Sequence, residues 1–92
     1  MFFAKKITSE EAQRLSVDTW EPWIGEPSKG TWHVEEQEVF YVTDGEVFIT
    51  VDGEKYHITN DWVVSLAKDL VCEWIVQNFE KNYKMNHEIN LK

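Results

Sequence analysis

Residues 31–50, TWHVEEQEVFYVTDGEVFIT, place an imidazole, His33, five positions ahead of a carboxylate, Glu38. These two side-chain types transfer protons near neutral pH and ligate divalent cations, so a pairing of them is the first place to look for chemistry. The other reactive group is the lone thiol, Cys72. Read as ordinary structure, His33 hydrogen-bonds Glu38 and Cys72 is a small buried hydrophobe. Which reading applies depends on where Glu38 points, because a carboxylate turned into a core must be paired, protonated or bound to something.

The surrounding elements give the direction. EVFYVT (38–43) and EVFITV (46–51) flank Asp44-Gly45, and Asp52-Gly53 leads on to EKYHI (54–58). Asp-Gly between β-branched and aromatic runs predicts two tight hairpins and a three-stranded meander. With Asp44-Gly45 as a two-residue loop, Val42 faces Val47, Phe40 faces Ile49 and Glu38 faces Val51. One face then carries Glu38, Phe40, Val42, Val47, Ile49 and Val51, joined by Tyr56 and Ile58, and is apolar except for Glu38. The opposite face holds Tyr41, Thr43, Glu46, Phe48, Thr50 and His57. WVVSL (62–66) and VCEWIV (71–76) read as further strands and NYKM (82–85) as a candidate last one. Ahead of the meander, TSEEAQRL (8–15) carries a capping box, Thr8 with Glu11, and predicts one short helix, while WEPWIGEPSKG (20–30) reads as an extended or looping segment. Many short strands at close turn spacing predict an all-β barrel or sandwich.

The chain has 92 residues, enough for one core, and 42% are hydrophobic and 14% aromatic, including five tryptophans. A core this small favours a homodimer that covers apolar surface. The net charge of −8, with no basic stripe, excludes nucleic-acid binding as an expectation. One cysteine gives no disulfide framework, no apolar run is long enough to span a bilayer, and MFFAKKIT lacks the features of a signal peptide. A cytoplasmic protein without membrane contact is expected. No Gly-rich phosphate loop, Ser-His-Asp arrangement or CxxC pair is present.

The spacing around Glu38 resembles the first cupin motif, in which a glycine precedes His-x-His, a glutamate and a further glycine. Gly25, Thr31, His33, Glu38 and Gly45 stand at those positions, so threonine replaces the first histidine. In the second motif the places of glycine, proline, glycine and histidine fall on Asp61, Ala67, Asp69 and Cys72. Within the superfamily the chain is similar to the small single-domain cupins of the ethanolamine-utilisation and ureidoglycine aminohydrolase type. The residues that carry this likeness are Trp20, Trp23, Trp32, the run Tyr41–Val47 and Cys72-Glu73-Trp74, over about Ser16 to Tyr83. The resemblance implies an antiparallel, jelly-roll-like β-barrel in a single domain over 1–92. Its barrel core spans about 16–85, a segment with the short helix (1–15) precedes it, and a polar tail (86–92) follows.

The resemblance also implies a site. His33, Glu38 and Cys72 fall at metal-ligand positions and are expected to meet in one cavity, where one divalent metal, zinc before others given the thiol, is weighed against no metal at all. His33, Glu38, Tyr56, Cys72 and Trp74 are the expected pocket. Three functions stand open: a barrel that binds a small polar molecule, a metal-dependent enzyme acting on a small nitrogen-containing metabolite, and a structural or regulatory dimer. His57 is expected on the outer face, His87 in the polar tail, and Asp61 and Asp69 in turns.

Overall fold

The computed structural model describes residues 2–89. Among the described residues are seven antiparallel strands, one short α-helix and a 3-10 turn at Val17–Thr19. The strands are β1 (Phe2–Lys6), β2 (Glu21–Gly25), β3 (Ser28–His33), β4 (Glu38–Val51), β5 (Glu54–Ile58), β6 (Trp62–Leu66) and β7 (Val71–Met85); α1 spans Ser9–Leu15. The helix starts where the capping box places it: Thr8 Oγ1 accepts from the Glu11 amide at 3.1 Å and the Thr8 amide donates to Glu11 Oε1 at 3.0 Å. That backbone hydrogen bond, with nearby Lys5 and Arg14, holds the Glu11 carboxyl below its ordinary range. Ser16, in the left-handed region at φ 56°, closes the helix with its amide on the Ala12 and Gln13 carbonyls.

The sequence-based expectations need three corrections in this region. The stretch ahead of the helix is a strand, β1, paired along its length with β6. The Pro/Gly-rich stretch after Trp20 holds two short strands, β2 and β3, both hydrogen-bonded to β7. Residues 71–76 and 82–85 belong to one 15-residue strand.

The largest correction concerns Asp44-Gly45. It makes no hairpin; β4 runs through it for 14 residues and pairs with β7 on both sides. The dipeptide is instead a bulge. Between Val42 and Asp44 the β4 chain advances two residues while β7 advances from Lys81 to Glu80, and between Gly45 and Val47 the excess lies on β7, from Phe79 to Val76. An extra residue turns every following side chain to the other face. Glu38, Phe40 and Val42 therefore share the interior with Val47, Ile49 and Val51, and all six are buried. The expected inner face is correct, although a bulge and not a turn produces it. Gly45 is required here: its φ is +86°, and a Cβ would lie 1.7 Å from the Asn78 carbonyl oxygen. Asp52-Gly53, by contrast, is the expected hairpin, with Val51 opposite Glu54 and both turn residues at positive φ.

β4 and β7 form the spine of the molecule. Inside the curved sheet, Phe40, Val42, Ile49, Ile58, Val64 and Leu66 are fully buried in the main core. A smaller second core lies on the outer side of the sheet, where Ile7, Ala12, Val17 and Trp20 cover Val39 and Val63. No helix among the described residues is long and apolar enough to cross a membrane.

Candidate functional site: a lysine–glutamate pair in an aromatic cavity

The bulge acts on β7 as well. Counted from Cys72, strict alternation would turn Trp74 and Val76 inward and Lys81 outward. Trp74 and Val76 do point inward, but the extra residue near Gln77–Asn78 shifts the alternation beyond it, so that Phe79, Lys81 and Tyr83 face inward as well. A lysine thus enters the barrel and is only 8% exposed. β2 sets Trp23 opposite Lys81, and β3 sets Trp32 opposite Cys72, Gly30 opposite Trp74 and Ser28 opposite Val76.

A half-open cavity of about 220 Å³ is lined by Trp23, Ser28, Trp32, Phe40, Val47, Ile49, Trp74, Val76, Phe79 and Lys81. Its walls are edge-to-face aromatic pairs: Phe40 with Phe79 at 5.6 Å between centroids, Trp23 with Phe79 at 5.9 Å, and Trp32 with Trp74 at 6.1 Å. Trp23, 43% exposed, stands on the rim. The Lys81 ammonium lies 4.6 Å from the Phe40 ring centroid, 5.1 Å from Trp23, 5.2 Å from Trp32 and 5.4 Å from Tyr83, within cation–π range of each. Its Nζ donates to Glu38 Oε2 at 2.6 Å, and both side chains are buried. Desolvation pushes the Lys81 amine below its ordinary range, and the attraction of Glu38 opposes that push.

The expected metal donors are not assembled. His33 shares its register position with exposed Val71, so it lies on the outer face, where its Nε2 is 3.4 Å from Asp69 Oδ1 and both side chains are open to solvent. Its neighbour Trp32 takes the inward place. Glu38 is engaged by Lys81. Cys72 is buried and free, and burial raises its thiol pKa, which favours the protonated form over a thiolate ligand. No group of three His, Cys, Asp or Glu side chains among the described residues could hold a metal ion. These residues do not fit the zinc set implied by the resemblance.

Of the expected pocket, Trp74 lines the cavity and Glu38 reaches it through Lys81. Tyr56 lies elsewhere, in a surface depression with Phe2 and Val51, and its hydroxyl donates to Glu54 at 2.7 Å. His57 is exposed as expected, stacked on Phe48 and 3.0 Å from Glu46. Asp61 and Asp69 sit in turns at φ 70° and 71°. His87 packs edge-on against Trp20, while residues 90–92 of the expected tail lie outside the described region. Sequence reasoning missed Lys81, the residue that gives the cavity its charge. An inward glutamate without a cation on its own hairpin was the available signal.

Fold and cavity together define a cupin-type barrel. The chain belongs to the EutQ-like cupin domain family, whose model matches residues 12–83. A DUF861 family protein from Thermotoga maritima is 32% identical, with a TM-score of 0.84 over 92% of this chain and 99% of that one. A protein of unknown function from Rhizobium leguminosarum (14% identity, TM-score 0.62, 91% and 97% covered) shares the fold. So does the EutQ protein of Clostridium difficile (18% identity, TM-score 0.60, 91% and 66% covered). No curated protein matches the chain.

Proposed function

We propose that the barrel binds a compact small molecule with a planar apolar body and one oxygen acceptor, a carboxylate or a carbonyl. The observation that carries this reading is the 220 Å³ aromatic cavity with an ammonium group in its wall. A dry cavity of about 150 Å³ holds benzene, so the space suits a single substituted ring. Aromatic walls supply contact area, and the buried ammonium gives an acceptor its orientation through a charge-assisted hydrogen bond. Glu38 keeps that ammonium compensated before the ligand arrives.

Benzoate is a suitable probe. Three of the five tryptophans line the cavity, so intrinsic fluorescence reports occupancy. Benzoate should produce a saturable fluorescence change with the parent protein, and a Val76→Phe variant, which fills the cavity, should weaken binding about tenfold, equivalent to about 1.4 kcal/mol. A linear, unsaturated response from the parent up to millimolar benzoate would sink the reading.

A further inference from the structure

We propose that Lys81 is a carbonyl-trapping amine: with Glu38 as its proton relay, it condenses with an aldehyde in the aromatic cavity to form a protonated imine. The proposal rests on the reading of the cavity as a ligand site and names the class of ligand, an aldehyde whose carbonyl carbon reaches Nζ.

Three features of the geometry support it. Lys81 lines the cavity and its Nζ lies 4.6–5.2 Å from the centroids of three of the lining rings, Phe40, Trp23 and Trp32, so an electrophile held among those rings lies close to the nitrogen. The Glu38 carboxylate, 2.6 Å from Nζ, is a base in contact with the proton that must leave before the nitrogen can attack. The rings that surround the ammonium surround the product equally well, because a protonated imine carries the same single positive charge. Desolvation of Lys81 works in the same direction, since it lowers the cost of reaching the neutral amine, as in other amines buried in apolar sites.

The step balances in atoms and charge. Glu38 takes one proton from the ammonium, leaving a neutral amine and a neutral carboxylic acid. The nitrogen lone pair attacks the carbonyl carbon, the C=O π pair moves to oxygen, and a proton passes from nitrogen to that oxygen to give a carbinolamine. Glu38 returns its proton to the hydroxyl, water leaves, and the nitrogen lone pair forms the C=N bond. An ammonium and an aldehyde become a protonated imine and water, and Glu38 is again a carboxylate paired with a cation. No oxidant or reductant takes part.

The test treats the full chain with benzaldehyde and cyanoborohydride, which reduces an imine to a stable benzylamine, and locates the adduct by peptide mass mapping. The parent supplies its own controls in exposed lysines such as Lys29, Lys55 and Lys68. Lys81 should be benzylated at least about tenfold faster than any of them, and Glu38→Gln should remove most of that advantage. In a Lys81→Met/Glu38→Leu variant the exposed lysines should react as in the parent. Labelling of Lys81 at or below the rate of the exposed lysines would overturn the proposal and leave a structural ion pair. If benzoate binds saturably while Lys81 is not trapped, the imine fails and the cavity reading stands. If neither occurs, both fail. If Lys81 is trapped without benzoate binding, aldehyde capture stands and the carboxylate arm falls.

Discussion

Two of the acid–base pairs lie on opposite sides of the sheet, and their environments differ far more than their chemistry. His33 and Asp69 meet at 3.4 Å on the outer face with side chains 61% and 73% exposed, whereas Lys81 and Glu38 meet at 2.6 Å inside with 9% and 8% exposed. Water screens the outer pair and holds its value near zero. The inner pair has exchanged two hydration shells for one short contact and a ring of aromatic faces, so each partner depends on the other. Proximity of opposite groups therefore says little here; the side of the sheet they occupy decides what they can do.

The largest effect should come from separating the inner pair. Lys81→Met leaves Glu38 buried without its cation and should cost about 3–5 kcal/mol in urea unfolding, whereas Lys81→Met/Glu38→Leu should return to within about 1 kcal/mol of the parent. A single variant as stable as the double would show that Glu38 does not need Lys81. A smaller effect is expected from pH. Burial lowers the folded-state value of Lys81, and the unfolded chain returns it to the ordinary 10.5. Between those values the unfolded state binds the extra proton, so stability should rise with pH across that window, relative to the double variant that lacks the group. A difference that is flat or falls with pH would remove the desolvation argument. The smallest effect belongs outside. His33→Ala should change stability by less than about 0.5 kcal/mol, and a larger loss would mean that the exposed pair does more than its surroundings allow.

Much of the fold could be read in the sequence because it rests on local chemistry. The capping box at Thr8, the hairpin at Asp52-Gly53 and the apolar face of β4 each follow from a few adjacent residues. Asp44-Gly45 carries the same dipeptide as Asp52-Gly53 and yet does something different. The deciding contact is with β7, whose Asn78 carbonyl passes where a Cβ of residue 45 would be, and that neighbour is distant in sequence. The inward set survived the error because a bulge and a two-residue turn both shift the alternation by one. On β7 no such coincidence helped. Lys81 lies in a stretch between two expected strands, and continuous alternation from Cys72 would have turned it outward. The candidate site was legible in part for the same reason. Glu38 and Trp74 follow from local pattern, whereas the cation that pairs with Glu38 depends on a register shift with no sequence signal of its own. His33 was placed by motif position, and pairing with Val71 on β7 sends it outside.

The pairing of β4 with β7 also sets the order in which the protein can assemble. β4 meets β5 across a two-residue turn and pairs with β6 soon after, but its third partner, β7, follows both in the chain, and Glu38 and Lys81 are 43 residues apart. Closing loops of that length must precede any reward from the contacts they bring, and topologies dominated by such pairings fold in roughly milliseconds to seconds rather than microseconds. Without β7, β2 and β3 have no strand to pair with, and Glu38 has no cation. The cavity is thus completed by the same strand that delivers the amine.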